Sequence, residues 1–458
     1  MNDDAAPPQS VPDGTTGQET TGQLPPASGP LTGTATIADT PSGTVETVPP
    51  PPRQNLIIRD IMRGSVVTTI LAIVLAMLVG GILIAITDPG VQKAAGYFFA
   101  RPGDTFVAIW NSVSGAYIAL FQGSIINFQA ASFQQAILPL TSTLGFAAPL
   151  TAAGLGVALA FRVGLFNIGA QGQMLIACAA SALLTFNLGL PMFLQLPITL
   201  IVGIIGGALW GGIVGLLKAR TGAHEVILTI MLNYIAFYLV SWMVRTPHVL
   251  QKPGTNQPIS SPTPTNGVFP ALFGAQYPQL TWAFPVVLLA TLVVWWLIER
   301  SSLGFRMRAV GENPNAARAA GISVPRMFVY AMLFAGGLAG LAGMIQIQST
   351  ITTGFDGGIH AGIGFDAITV ALLGRSRAWG TLFAGLLFGA LKAGSFTMQA
   401  LQGIPVDIVL VVQSLIVLFI AAPPLIRAIF FLPKSDEEKT AKAVRKSTKK
   451  AARKEVAA

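Results

Sequence analysis

Three amide side chains, Asn167, Gln171 and Gln173, stand among glycines in the segment Phe161-Arg-Val-Gly-Leu-Phe-Asn-Ile-Gly-Ala-Gln-Gly-Gln173. Amides donate and accept hydrogen bonds without carrying charge, so they can hold a polar solute. Gly164, Gly169 and Gly172 permit an irregular backbone and close helix contact. The segment opens an apolar run, where a helix dipole would assist such contacts. The same amides would equally serve to bind one membrane helix to another.

A second constellation lies in the polar loop from Glu299 to Arg326. Asn313-Pro314-Asn-Ala-Ala-Arg-Ala-Ala320-Gly321 has an N-cap, a proline at the first helical position and a glycine stop. The spacing predicts a short rigid helix, flanked by Arg306, Arg308, Arg318 and Arg326, built either to dock on a partner or to connect two spans. Its small residues, Ala316, Ala317, Ala319 and Ala320, would let a partner surface approach the backbone. Arg318 would reach an acidic partner, and Glu312 sits at the positive end of the dipole.

A third set is ionisable: Glu225, Asp356, Asp366, Lys392 and Asp407 fall in or near apolar runs. Charges at membrane depth are costly and mark function. Glu225, Asp356 and Asp407 sit near run ends, where a cap or snorkelling accounts for them. Asp366 and Lys392 are placed to pair across spans. No G-x-x-x-x-G-K-[ST] loop occurs, so ATP is not bound in the P-loop manner. No H-E-x-x-H or paired-cysteine motif occurs, and His224, His248 and His360 are far apart in sequence, which argues against a metal site. No catalytic set and no cofactor motif emerge.

Only 10% of the 458 residues are charged and 52% are hydrophobic, at a mean hydropathy of +0.64. A soluble chain carries about 25% charge, so most of this surface faces lipid or other helices. The expected fold is all-α, a polytopic membrane protein of about ten spans. Apolar runs fall at 65–86, 137–160, 164–187, 192–217, 225–246, 280–298, 327–349, 361–374, 379–398 and 405–422. The run 361–374 is short for a crossing and reads as re-entrant or broken. Residues 88–130 mix aromatic and polar residues and suit an interfacial helix on the outer side. Residues 1–55 are rich in Pro, Gly, Ser and Thr and read as a disordered tail. Residues 56–432 form the membrane domain, and 433–458 a basic tail that either lies solvated or touches anionic lipid.

Of the 28 Lys and Arg, 23 fall in segments that a cytoplasmic N-terminus places inside, four fall outside (Lys93, Arg101, Arg245, Lys252), and Lys392 lies in a span. The surplus of +9 is therefore topogenic and not a sign of a nucleic-acid partner.

Several segments resemble the ABC transporter permeases for nucleosides, within the larger group that includes simple-sugar and branched-chain amino-acid permeases. They are Phe166 to Gln173, Gly207 to Gly212 with Leu217 to Arg220, His224 to Tyr234, Arg308 to Ile322, Gly364 to Gly374 and Gly403-Ile-Pro. They run in order from about residue 56 to 428. Gln171 stands where that family usually carries Glu, so the hydrogen-bonding shape is kept and the charge is lost. The resemblance implies a multi-pass plasma-membrane importer subunit with no enzymatic activity of its own. The implied partners are a second permease subunit forming a heterodimer, a cytoplasmic ABC ATPase and a substrate-binding lipoprotein. Asn167, Gln171 and Gln173, with Asn233 and Asp366, are expected to line the solute pathway. The resemblance also implies that Glu312, Asn313, Pro314, Ala316, Ala317, Arg318 and Gly321 couple to the ATPase. The alternatives are a simple-sugar or branched-chain amino-acid permease, or an ion-coupled transporter using Asp366 and Lys392 as a relay.

The charge asymmetry places both termini in the cytoplasm. Reporter fusions at Arg59 and Lys434 should both report an inside location, and an outside signal from either would defeat the ten-span topology.

Overall fold

The structure is a computed structural model that describes residues 65–431. Both expected tails, and the topogenic Arg53, Arg59 and Arg63, lie outside the described residues. The regular structure described is helical: α1 Ser65–Thr87, α2 Pro89–Ala95, α3 Pro102–Ser124, α4 Phe133–Arg162, α5 Ala170–Leu188, α6 Met192–Thr221, α7 Glu225–Met243, α8 Ala283–Glu299, α9 Ser302–Glu312, α10 Pro314–Ala319, α11 Val324–Ile345, α12 Ile363–Leu373, α13 Ala378–Gln402, α14 Val406–Ala421 and α15 Pro423–Ile429. Each of the ten expected apolar runs falls on a helix. Seven helices are long and apolar enough to cross a membrane, or eight if the bent pair α8 and α9 is one span. The difference from ten lies in α8, α12 and α14, which have 17, 11 and 16 residues. A crossing takes about 20 residues at ~1.5 Å each.

The centre of the bundle is the antiparallel contact of α6 with α11. Gly203, Gly207, Gly211 and Gly215 recur every fourth residue along one side of α6. A Cβ on Gly207 would collide with the carbonyl oxygen of Gly336. One on Gly336 would collide with that of Gly207, and one on Gly340 with that of Gly203. Lipid offers no hydrophobic drive for helices to associate, so close backbone approach and dispersion must supply it. Farther along α11, Gly343 lies against Met174 of α5, and beyond its end Gln348 Nε2 donates to Thr199 Oγ1 of α6 at 2.8 Å. α4 packs antiparallel to α13, with Thr151 against Gly385 and Ala147 against Gly389. Pro139 and Pro149 lie inside α4.

Helix α3 differs from the expectation of a surface-lying helix. It runs back along α1, with the Tyr117 hydroxyl donating to the Met77 carbonyl, and along α13, where Gly123 meets Gly394 and Thr397. Thr143 of α4 donates to Ser124 O at 2.6 Å. Residues 125–132 therefore climb back before α4 descends in the same direction as α3. The excursion adds no net crossing. Its mixed composition arises because Ser112, Ala116, Ala119 and Gly123 face helices while Phe106, Trp110 and Ile118 face outward.

At the end of the bundle beyond Leu188, residues 244–282 cap α11. The Phe269 N–H donates to Gln348 O, the Thr263 N–H to Thr352 O and the Ser260 N–H to Phe355 O, each at 2.8 Å. Thr263 Oγ1 adds a bond to Ile347 O at 2.9 Å.

Replacing Gly207 with Ala should destabilise the purified protein by ~2 kcal/mol, because neither backbone can retreat without disturbing its other neighbours. Gly103→Ala, which meets nothing within 4 Å, should be near neutral. Thermal unfolding in detergent reads both, and equal midpoints would show that the two helices can part freely.

Candidate functional site

The segment from Arg162 to Ala170 is a break between two helices. Gly164, at φ 77°, ends α4 in the left-handed region, and α5 does not begin until Ala170. The expected run began at 164. The delay has a local cause: the Asn167 side chain takes the Gly169 N–H at 2.9 Å, drawing the chain out of helix. Asn167 and Gln173 then close on each other through two reciprocal amide bonds of 3.2 Å. Asn233 of α7 accepts the Gly172 N–H at 2.8 Å and donates to Ile168 O at 3.0 Å. All three side chains are buried, Asn167 and Gln173 essentially completely. They are expected in the solute-facing wall, and here they bond to one another and to the broken backbone. They fix the shape of the break, as buried amides with full hydrogen-bond sets do.

Gln171 lies apart from that set, one turn into α5 and partly exposed. Beside it α12 begins, after α11 ends in a single π turn over Gln346–Thr350 and the chain runs irregularly through 351–362. A Cβ on Gly364 would collide with the Gln171 backbone, so the first turns of α5 and α12 lie side by side. α5 runs parallel to α11, since Gly343 meets Met174 and Gln348 meets Thr185. α12 runs with α4, antiparallel to both. Two half-helices therefore start at one depth and leave in opposite directions, and the positive ends of both dipoles meet there.

The side chains at this meeting point are Gln171, His360, Asp366 and Lys392. Gln171 Nε2 lies 3.0 Å from His360 Nε2, and the Gly362 N–H donates to His360 Nδ1 at 3.1 Å. A ring nitrogen that accepts carries no proton, so the neutral imidazole is protonated on Nε2. That nitrogen must then face an acceptor. Gln171 Oε1 is buried without a partner, and amide orientation is assigned from the network. Turned to the ring, Oε1 accepts the Nε2 proton and the amide nitrogen takes the buried position as a donor without a partner. Lys392 Nζ donates to Ala361 O at 3.4 Å. No direct ion pair closes between Asp366 and Lys392 among the described residues, so the expected pairing is not present as a contact.

His360 was visible in the sequence only as one of three scattered histidines. The signal that could have marked it is Gly357-Gly358-Ile-His-Ala-Gly362, a glycine-rich run just before a short apolar one. Ala361 at φ 44° and Gly362 at φ 79° make the turn that presents it.

The opposite end carries the predicted short helix. Asn313 caps α10, its Oδ1 accepting from Asn315 N and Ala316 N at 3.0 Å, Pro314 is first in the helix, and Gly321 stops it at φ 80°. Glu312, Asn313, Pro314, Ala316, Arg318, Ala319, Ala320 and Gly321 are exposed. Ala317 is not. It is 4% exposed and packs in a cluster with Met307, Val310 and Val324. The expectation that Ala317 lies on a docking face is corrected on that ground: a six-residue helix lying on the bundle must turn one residue inward. Arg318 bonds locally to Asn315 Oδ1 at 3.3 Å.

Comparison with known proteins was made on the sequence. The family described as "Branched-chain amino acid transport system / permease component" matches residues 140–421. The chain is 34% identical over 358 residues to the guanosine ABC transporter permease protein NupP of Bacillus subtilis, covering 78% of this chain and 93% of that protein. It is 34% identical to the nucleoside ABC transporter permease protein NupB of Lactococcus lactis, covering 68% and 85%. It is 32% identical to the glucose ABC transporter permease protein TsgB13 of Haloferax volcanii, covering 61% and 75%. A second guanosine or nucleoside permease from each of the same two bacteria matches at 28% and 25%. No solved structure matches the chain. With a family match over most of the helical bundle and relatives aligned over most of their length, this chain belongs to the ABC-transporter permease family of the branched-chain amino acid transport type.

Proposed function

We propose that this chain is one permease subunit of an ATP-driven importer that passes nucleosides through the plasma membrane. The relatives aligned over the greatest length are named for guanosine and nucleosides. What supports a solute path most directly is the convergence of the α5 and α12 N-termini on Gln171, His360, Asp366 and Lys392. A nucleoside is neutral and carries hydrogen-bond donors and acceptors on base and sugar. The free amide donor of Gln171, the carboxylate of Asp366 and the ammonium of Lys392 complement such a solute without demanding a charge on it. Asn167, Gln173 and Asn233 hold the break from behind. The chain makes and breaks no covalent bond; ATP is hydrolysed by a partner.

The basic segments gather at one end of the bundle, where Arg162, Lys218, Arg308 and Arg375 lie with α9 and α10, and this supports a cytoplasmic face there with both termini inside. On that face the exposed side of α10 is the docking point for the ATPase. The pairing of related permeases in single bacteria supports a second permease subunit as partner, and a substrate-binding lipoprotein delivers solute to the opposite face. The cycle is alternating access, with ATPase closure moving α9 and α10 and the half-helices opening the polar centre to each side in turn.

Uptake of labelled guanosine in a deletion strain tests the substrate. Gln171→Leu should lower uptake on the order of tenfold, the worth of one hydrogen bond of ~1.5 kcal/mol, with membrane abundance unchanged. Gln173→Leu should instead lower abundance, because it strands a buried Asn167. Labelled glucose taken up in place of guanosine would move the assignment to the sugar branch, and unchanged guanosine uptake by Gln171→Leu would remove this residue from the path.

Docking has its own contrast. Ala316→Trp, on the exposed side of α10, should leave the permease inserted and abolish co-purification of the ATPase. Ala317→Trp should deplete the permease itself through overpacking. Retention of the ATPase by Ala316→Trp would reduce α10 to a connector.

A further inference from the structure

The turn that joins α12 to α13 holds two consecutive non-glycine residues in the left-handed region, Arg375 at φ 54° and Ser376 at φ 52°. L-residues avoid that region because Cβ crowds the following carbonyl, so such a turn persists only where its surroundings hold it. The Ser376 N–H donates to Ala371 O at 2.9 Å, and the Ser376 carbonyl accepts from Arg162 Nε at 2.8 Å. Arg162, the last residue of α4, is thus a clasp on a strained turn.

The clasp is one end of a string. A second guanidinium nitrogen of Arg162 lies 3.8 Å from Glu299 Oε1, at the end of α8. Glu299 Oε2 accepts from Arg308 of α9 at 3.0 Å. The bend of 68° between α8 and α9 is stiff, because a Cβ on Gly304 would collide with Leu297 O. The far end of α9 presses on α4 in the same way, with Gly311 against the Arg162 carbonyl. α10 follows α9 directly through the Asn313 cap. At the other end of the string, α12 is an eleven-residue rod of about 16 Å whose first turn carries Asp366 beside Gln171. Three charged side chains therefore link the docking segment to the half-helix at the polar centre. Charge-assisted bonds to planar guanidinium groups are directional, which suits them to conveying displacement. The pairs are partly exposed, at 29–38% of each side chain, so they add little to stability, and their removal leaves a folded bundle.

We infer that Arg308, Glu299 and Arg162 form the coupling string of this permease, with Arg162 the positioning residue that holds or releases the Arg375–Ser376 turn and so moves α12 when the ATPase moves α9 and α10. The inference rests on the importer assignment above and adds the route by which that importer is driven. The test uses the full complex, reconstituted with cysteine-free partners and with spin labels on cysteines introduced at the exposed Phe305 in α9 and Phe365 in α12. Cys178, the single native cysteine, is buried and stays unlabelled. Pulsed electron resonance compares the label distance without nucleotide and with ATP trapped on a hydrolysis-deficient ATPase.

The unmodified string should show a nucleotide-dependent change in distance. Glu299→Gln and Arg308→Gln should each abolish most of it while the ATPase still co-purifies. Guanosine taken up per ATP hydrolysed should fall by about tenfold or more in each, and no further in the double variant, as members of one series must behave. A change that persists in Glu299→Gln, a change absent with the string intact, loss of the ATPase from the complex, or additive losses in the double variant would each overturn the inference. A complex that shows the distance change and its loss but takes up no guanosine would defeat the nucleoside assignment and leave the coupling string standing.

Discussion

Two backbones in contact set the geometry of this protein. α6 and α11 meet through Gly203, Gly207, Gly211, Gly336 and Gly340 with no room for a Cβ between them. In lipid, an apolar side chain gains little by leaving its surroundings for a protein neighbour, so helices must associate through contact quality. Removing the side chains lets many backbone atoms reach van der Waals distance at once, and it fixes the separation and register of the pair. α5 takes its place against α11 at Gly343, beside the seam, and α7 is tied to α5 by Asn233. The bundle is assembled outward from that seam.

Because the seam is rigid, the breaks beside it can be irregular without the bundle losing definition. A membrane helix cannot simply stop, since every freed backbone group needs a partner. In the first break Asn167, Gln173 and Asn233 supply the partners. In the second, residues 244–282 do so from outside the bundle. Two different solutions leave two helix starts facing the same place, where Gln171, His360, Asp366 and Lys392 gather. The polar centre is thus what remains after the breaks have been satisfied.

Much of this was legible in the amino-acid order. The apolar runs located ten helices, and the charge distribution marked the face that carries α9 and α10. Asn313-Pro314 and Gly321 delimited α10 to the residue. What the sequence concealed depends on pairing across helices. Asn167 and Gln173 look like free amides until the fold closes each on the other. Ala317 looks like its neighbours until the helix is laid on the bundle and one side turns in. His360 has no local pattern of its own, and its place depends on where residues 351–362 are led by Gly354 and Gly362. α3 misled through composition, because a helix buried on one side among small polar residues resembles one that lies at an interface.

The cap over α11 has a consequence of a different kind. The carbonyls of Ile347 and Gln348 accept from Thr263 and Phe269 of the outer segment. Those are the acceptors that a continuous α11 would offer to its own residues 351 and 352. Helix and cap therefore compete for the same oxygens. With the cap in place α11 does not continue, and the Ile351 N–H turns instead to Gln346 O at 2.7 Å. This end of the bundle is thus closed by donors from a distant stretch of the chain, and the place where α11 stops is set by which donors reach its last oxygens first.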